Sequence, residues 1–533
     1  LSDIFWCNNC KVPLLKKECG ICHDDGQRVA SDIRPVFPEE KRLLEVLLEY
    51  EEGYFRDKSV WDTNSNYLLI DGVTVALNKG KLMKLDPGEI RLKLKRCSVP
   101  DDELIEFEDN VDKFVRCNQN SLNESEIEAF DIIKEARMGR DKHISMVSFS
   151  GGKDSTVVSD LVRRAYANQS VLHIFGDTTL ELPDTQEYVA RFKKFHNKTP
   201  FLESRSHHNF RDLCEQIGPP SRVMRWCCTI FKTGPISQTF DGISRTKSIL
   251  TYYGIRKSES NQRANYKAIT QSPKVTKQTV VSPIINWIDA NIWLYILSRK
   301  LDFNDAYRYG FSRVGCWACP SNSLWAFFLT RIYFPEFSEP WREFLIEVAV
   351  TMGKPDPEEY VDSGNWKARQ GGQGLTTAYK GLVTSKPCGD DPDAKTYTLT
   401  KPISEELYEY FKPFGDVAIG RGRSLLGEVF ILNKHTQEPL LVIQGRTGTS
   451  ELRVKVVSSK NTILLMHRVD CQIRKYQSCV LCSGCSSVCP LGAISDKAGR
   501  YTINQEKCVN CLKCVAHFDT GCLVSKVLQT RRS

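Results

Sequence analysis

Sixteen of the 21 cysteines in this 533-residue chain fall into four sets of four. Cys7, Cys10, Cys19 and Cys22 form one set near the start, and Cys227-Cys228 with Cys316 and Cys319 form a second. Two more lie near the end, within Cys479, Cys482, Cys485, Cys489 and Cys508, Cys511, Cys514, Cys522. Pairs two residues apart let two thiolates reach one metal, whereas the disulfides of secreted proteins need no such clustering. A different chemistry sits at Ser150-Gly151-Gly152-Lys153-Asp154-Ser155. Glycines there allow a tight turn with backbone close to a ligand, and the start of a following helix offers N–H groups and a partial positive charge to an anion. Ser150 and Ser155 add hydroxyl donors, and Lys153 adds a full charge.

Each cysteine set implies its own chemistry. Cys7-x2-Cys10-x8-Cys19-x2-Cys22 has the compact spacing of a zinc ribbon, where four thiolates close a structural site; rubredoxin-type iron is the alternative. Adjacent Cys227 and Cys228 strain a single small tetrahedral ion, whereas the corners of a [4Fe–4S] cube lie far enough apart for both. Zinc or buried structural cysteines are the other readings of Cys227, Cys228, Cys316 and Cys319. Cys479-x2-Cys482-x2-Cys485-x3-Cys489-Pro490 is the run of bacterial ferredoxins, repeated at Cys508-x2-Cys511-x2-Cys514 with Cys522 as a late fourth ligand. Because the fourth cysteine of each run serves the other cluster, one [4Fe–4S] set is Cys479, Cys482, Cys485 and Cys522. The other is Cys489, Cys508, Cys511 and Cys514. The second run departs from the pattern, with seven residues before Cys522 and no proline after it.

The elements that must position the loop are legible around it. Ile144 to Phe149 reads as a strand, and Val157, Val158, Leu161, Val162 and Ala165 mark the helix that follows. Val171 to Phe175 and Ile249 to Tyr253 are short apolar runs of the kind buried in a parallel sheet. Asp184 to His196 and Ala290 to Lys300 read as helices. This alternation predicts an α/β fold with a doubly wound parallel sheet. The loop's spacing fits neither the Walker pattern nor the dinucleotide glycine pattern.

SFSGGKDS, Ser148 to Ser155, resembles the pyrophosphate loop of the ATP-pyrophosphatase (PP-loop) and phosphoadenylylsulfate (PAPS) reductase superfamily. FGDTTLELPDTQEYV (175–189), YGIRKSESNQR (253–263) and SPIINWIDANIW (282–293) resemble further segments of the PAPS-reductase branch. The resemblance covers about residues 125–350. It implies that Ser148, Ser150, Gly151, Gly152, Lys153, Asp154 and Ser155 bind an adenylyl nucleotide, with Asp177 near it and Arg256 and Arg263 facing its anionic end. Lys153, Asp154, Asp177 and Arg256 are the expected catalytic residues. Cys-Cys, then CxxC 87 residues later, resembles the adenylylsulfate reductases, where such cysteines hold a [4Fe–4S] cluster beside the substrate. Two departures stand out. No nucleophilic cysteine occurs in a Glu-Cys-Gly-x-His setting, Cys388-Gly389 being the nearest echo, and the glycine-serine loop is intact.

The rest of the chain frames these sites. The expected segments are a zinc ribbon (1–30), a small β-rich domain (31–120), the nucleotide-binding domain (121–350), a lid or linker (351–403), a small α+β segment (404–469) and a two-cluster ferredoxin-like α+β domain (470–533). Within them Glu39 to Glu52 and Glu124 to Met138 read as helices, and Tyr67 to Leu77 and Arg91 to Arg96 as strands. Alternating Arg91-Leu92-Lys93-Leu94-Lys95 would put three cations on one strand face, either a solubilising edge or a phosphate-backbone contact. The domain order resembles multidomain PAPS-reductase-like proteins whose second domain is a PUA-like RNA-binding module, a likeness carried by DIRPVFPEEKRLLEVL. Cys97, Cys117, Cys214, Cys388 and Cys471 receive no role, and His207-His208 reads as surface.

Bulk properties narrow the class. Hydrophobic residues make up 41% and charged residues 26%, with a net charge of +8, a mild bias that suits an anionic ligand. No run of about 18 apolar residues predicts a membrane span. Leu1 to Cys10 lacks the basic-then-apolar pattern of a secretory signal, so a reducing cytoplasmic setting is expected. The expected cofactors are three [4Fe–4S] clusters, one Zn2+, and Mg2+ accompanying a nucleotide. The expected partners are an adenylyl nucleotide, a low-potential electron donor, and RNA or DNA through residues 31–120. Two reactions follow. One reduces adenylyl sulfate or its 3′-phosphate to sulfite with electrons from the chain's own ferredoxin domain. The other is ATP-dependent sulfur transfer to a nucleic acid with release of pyrophosphate. A nucleotide-gated redox sensor is the non-enzymatic reading.

Overall fold

Short strands bring the first four cysteines together. β1 (Ile4–Cys7), β2 (Val12–Leu14) and β3 (Gln27–Ala30) form an antiparallel sheet of order β2-β1-β3. This computed structural model describes residues 3–140, 143–243, 248–272, 278–370, 383–459, 461–496, 499–518 and 520–528. They divide into two compact units. One comprises the described residues of 1–203, 247–272 and 278–342, and the other those of 204–246 and 343–533.

In the first unit, β4 (Arg34–Pro35), β5 (Val60–Asp62), β6 (Tyr67–Ile70) and β7 (Val73–Ala76) form a four-stranded antiparallel sheet. The Tyr67–Leu77 run breaks into a hairpin at Asp71-Gly72, whose φ values of 47° and 85° give the two-residue turn its twist. Helix Pro38–Leu48 follows β4, and helix Gln119–Arg137 leads toward the main sheet. The expected strand at Arg91–Arg96 is instead the end of helix Pro87–Leu94. Asp86 caps that helix by accepting from the Glu89 N–H, and Pro87 fixes its first turn, so capping overrides the alternating pattern. Arg91 does not join a cationic strand face; it donates to the Ile332 and Arg331 carbonyls.

The main sheet contains β8 (Ile144–Phe149), β9 (Leu172–Asp177), β10 (Phe201–Arg205), β11 (Ile249–Tyr252), β12 (Ile269–Gln271) and β13 (Gln278–Val281), in the order β10-β9-β8-β11-β13-β12. β8 runs parallel to β9 and β11, and β11 parallel to β13, but β12 is antiparallel, so the sheet is mixed and parallel-rich. Helix Lys153–Ala165 buries Val157, Val158, Leu161 and Val162 in a core shared with Val147, Leu250 and Trp293. The chain steps from β8 to β9 on one side and returns to β11 on the other. Such a switch point opens a crevice at the carboxyl ends of the strands.

The second unit holds helices Phe210–Ile217 and Gly234–Ile243, with Cys227 and Cys228 in the short turn Trp226–Cys228 between them. Its antiparallel sheet contains β14 (Thr384–Cys388), β15 (Asp391–Thr398), β16 (Asp416–Ala418), β17 (Glu428–Leu432), β18 (Pro439–Gln444) and β19 (Glu451–Val456), in the order β14-β15-β19-β18-β17-β16. The segment expected as lid or linker thus contributes two of these strands; its residues 371–382 lie outside the described residues. Helix Thr462–Ser478 leads to the cysteine-rich tail, where β20 (Ile494–Ser495) pairs with β21 (Thr502–Ile503). Among the described residues no helix is long and apolar enough to cross a membrane.

Candidate functional site

The strand-to-helix turn after β8 is built tightly around its glycines. Gly151 has φ 71°, and a Cβ there would stand 2.8 Å from the Thr185 side chain. Gly152 precedes helix Lys153–Ala165, and its carbonyl accepts from the Ser155 hydroxyl at 2.8 Å. Ser150 donates its N–H to the Ser155 Oγ at 3.1 Å. Asn304 holds the turn from outside by donating to the Gly151 carbonyl. Ser148 lies in β8, with its hydroxyl hydrogen-bonded to the Tyr253 phenol. The exit of β11 crosses this turn so closely that a Cβ on Gly254 would fall 2.8 Å from Asp154.

Of the cations expected to face the nucleotide, Lys153 and Arg256 are buried and paired. Lys153 is 3% exposed; its Nζ donates to the Ser312 carbonyl at 2.8 Å and lies 3.4 Å from Asp289 and 3.8 Å from Asp154. Arg256 bridges the same two carboxylates, with 2.6 Å contacts to each. Burial opposes the charge on Lys153, but Asp289 and Asp154 outweigh it and raise its pKa. Burial pushes Asp289 the other way, yet Lys153 and Arg256 hold its carboxyl low. Asp32 accepts from the Asp289 and Ala290 N–H groups, and burial together with the charge of Asp289 raises its pKa to about 6. The Tyr307 hydroxyl accepts the Lys153 N–H at 3.0 Å. Arg263 pairs with Glu259. Asp177, at the end of β9, accepts from the Thr179 N–H at 2.8 Å.

Cys316 belongs to the same neighbourhood. Its sulfur lies 3.3 Å from the hydroxyl of Thr178, the residue after Asp177, and the next residue, Trp317, donates its N–H to the Leu180 carbonyl. Cys319 closes a turn onto the Cys316 carbonyl. Of the four cysteines expected to share a cluster, Cys316 and Cys319 lie in the first unit and Cys227 and Cys228 in the second.

The N-terminal cysteines converge, with all four sulfurs within 4.8 Å of one another. Sulfur–sulfur distances of 3.5 Å for Cys7–Cys22 and 3.7 Å for Cys10–Cys19 match the roughly 3.8 Å edge of a tetrahedron with zinc–sulfur bonds near 2.3 Å. Burial pushes the Cys7 and Cys10 thiols up to about 12. Burial raises Cys19 too, but the backbone N–H groups of Cys22 and Ile21 outweigh it and bring that thiol down to about 6. The set could therefore hold a metal ion.

In the tail the cysteines line two cavities. One is lined by Cys479, Cys482, Cys485 and Cys522, with Lys475, Ile494 and Tyr501. The other is lined by Cys489, Cys508, Cys511 and Cys514, with Pro490, Ile494 and Ile503. The donor sets and apolar walls fit two four-thiolate clusters, and the buried Tyr501 hydroxyl, which has no hydrogen-bond partner among the described residues, suits a sulfur acceptor. The first cavity abuts the segment that follows Cys227-Cys228. A Cβ on Gly234 would lie 2.9 Å from the Cys482 carbonyl, and one on Gly484 would meet the Thr229 side chain at 3.4 Å. Gln238 donates to Ser483 and Asp496, and His208 approaches the Leu481 carbonyl, so His208 is half-buried rather than free surface.

Residues 144–322 match the family model of the phosphoadenosine phosphosulfate reductase domain, so the chain carries such a domain. That span includes the loop, Asp177, Cys227, Cys228, Arg256, Arg263, Cys316 and Cys319. The adenosine 5′-phosphosulfate reductase of Staphylococcus epidermidis is 26% identical over 219 residues, covering 40% of this chain and 85% of that enzyme. An uncharacterized protein of Methanocaldococcus jannaschii is 25% identical over 466 residues, covering 68% of this chain and 95% of that protein. Among solved structures, the PAPS reductase of Candida auris covers 36% of this chain and 89% of that one at 16% identity, with a TM-score of 0.28.

Sequence reasoning missed Asp289, Tyr307 and Asn304, which reach the loop from segments distant in the chain, and Asp32, which holds the backbone at Asp289 and Ala290. It also missed Cys117, whose sulfur hydrogen-bonds Cys10 and Cys19 and whose carbonyl accepts the Gly20 N–H. Only IDANIW carried a signal for Asp289, as the acidic first residue of a helix.

Proposed function

We propose that this chain is an iron–sulfur reductase of adenylyl sulfate or its 3′-phosphate, supplied with electrons through its own tail. One observation carries the reading. The Cys482–Gly484 loop of the tail packs on Thr229 and Gly234, directly after Cys227-Cys228, within one compact unit. Reduction adds two electrons to sulfur and breaks its bond to the anhydride oxygen, giving sulfite with AMP from adenylyl sulfate or with adenosine 3′,5′-bisphosphate from its 3′-phosphate. The turn at Ser150–Ser155 and the helix start bind the phosphate. The nucleotide's anions compete with Asp154 and Asp289 for Lys153 and Arg256, and Asp177 borders the same crevice. Cys227, Cys228, Cys316 and Cys319 would hold one [4Fe–4S] cluster, the two tail sets would hold one each, and Cys7, Cys10, Cys19 and Cys22 would hold zinc. When bound, the clusters supply one-electron transfer.

A second reading, ATP-dependent sulfur transfer to RNA or DNA with Mg2+ beside the nucleotide, is favoured by the intact loop and by the missing Glu-Cys-Gly-x-His cysteine. One experiment separates the two. Reduced protein is incubated anaerobically with adenylyl sulfate, its 3′-phosphate, or ATP, and sulfite and pyrophosphate are measured. Sulfite from either sulfonucleotide supports reduction. Pyrophosphate from ATP without sulfite from either supports the second reading.

A further inference from the structure

Helix Thr462–Ser478 carries a lysine where a solvated residue would be ordinary. Lys475 is 1% exposed. Its Nζ donates to the Cys514 carbonyl at 2.8 Å and hydrogen-bonds the Cys485 sulfur. Cys485 lines one tail cavity and Cys514 the other, so the ammonium stands between the two cysteine sets. Among the described residues no carboxylate pairs with it. A buried ammonium without a counter-ion is costly, and among the described residues the nearest groups able to carry negative charge are cysteine sulfurs. Tyr501 repeats the pattern. It is 3% exposed, lines the cavity of Cys479, Cys482, Cys485 and Cys522, and has a hydroxyl with no hydrogen-bond partner among the described residues. Its ring stacks on Tyr410 with centroids 4.5 Å apart, which fixes its orientation.

We propose that Lys475 is a positioning residue that raises the reduction potentials of both tail clusters, with Tyr501 adding a smaller shift at the Cys485 set. This rests on the reading that the two sets hold four-iron clusters. Each one-electron reduction adds a negative charge to its cluster. A fixed ammonium nearby stabilises the reduced form more than the oxidised form, and hydrogen bonds to sulfur act in the same direction. Its place between the sets lets one charge act on both clusters, keeping them within reach of one low-potential donor.

The test is a redox titration of the anaerobically reconstituted full chain with dithionite and mediators, read by electron paramagnetic resonance. Lys475→Met should weaken the one-electron reduction of the Cys485 set at least tenfold, a shift of about 59 mV to lower potential. The other cluster should shift in the same direction. Lys475→Arg should stay close to the parent, and Tyr501→Phe should shift the Cys485 set by less than Lys475→Met does. Unchanged potentials in a Lys475→Met protein of full iron content would overturn the proposal. If that variant does not hold iron, Lys475→Gln is compared with Lys475→Arg, and equal potentials in the two overturn it. The readout needs no turnover, so failure to form sulfite would count against the reductase reading alone. A parent tail without iron would overturn both.

Discussion

Buried charge is handled in opposite ways at the phosphate loop and in the tail. At the loop, Lys153 and Arg256 are neutralised by Asp154 and Asp289, and Asp32 and Tyr307 bind the adjoining backbone. In the tail, Lys475 has a carbonyl and a cysteine sulfur for company, and the Tyr501 hydroxyl has no hydrogen-bond partner among the described residues. The first arrangement is balanced by the protein itself, so a ligand there must compete with carboxylates already in place. In the second, no carboxylate among the described residues balances the charge, and in the proposed reading the clusters supply it. In the proposed reading the loop binds and releases its ligand, whereas the tail is built around resident clusters.

The largest effect expected from this contrast concerns stability. Asp289→Asn would leave two buried cations to one carboxylate and should cost about 3–5 kcal/mol, read as a lower urea midpoint. Lys475→Met in metal-free protein removes an unpaired cation and should leave the midpoint unchanged or raised. Equal losses in the two variants would break the comparison.

Acid sensitivity should belong to the first unit. His173 is fully buried; its Nδ1 donates to the Val171 carbonyl, and its Nε2 accepts from the Ser159 hydroxyl. Burial lowers its pKa from 6.5 to about 4. Its stabilising contribution is complete above pH 6.5 and is lost as pH falls toward 4, a change of about 3 kcal/mol. Denaturant midpoints measured across that window should fall, and His173→Gln should flatten the slope. An unchanged slope in the variant would assign the loss to other groups.

A smaller effect is expected on ligand affinity. Lys153→Ala removes a charge-assisted contact and should weaken adenylyl-nucleotide binding by about 1.5–3 kcal/mol, measured calorimetrically. Because Lys153 is already paired, Asp154→Asn should strengthen binding in the same assay. Parent-like affinity in both would move the nucleotide elsewhere.

These contrasts were unevenly legible in the sequence. The strand, the glycine turn and the apolar helix face at Ile144–Ala165 are local, so periodicity and turn chemistry revealed them. The first cysteine set was legible because its metal-ligand spacing is also local. Asp289 and Tyr307 reach the loop from more than 130 residues away, through packing that spacing does not encode. Lys475 drew no reading from the sequence, because its burial comes from the tail packed against helix Thr462–Ser478. Arg91–Arg96 misled because alternation outweighed the Asp86-Pro87 start signal. Residues 204–243 interrupt the main α/β domain in sequence yet belong to the tail's unit, a partition no composition shift marks.

The most direct test of electron delivery follows the tail and the product together. Reduced protein is mixed anaerobically with adenylyl sulfate while visible absorption and sulfite are recorded. The account predicts that the iron–sulfur absorption returns as sulfite forms, one sulfite for every two electrons. Gly234→Leu, which forces a side chain against the Cys482 carbonyl, should slow both together without weakening nucleotide binding. Sulfite forming at the parent rate in Gly234→Leu while its tail stays reduced would contradict the account.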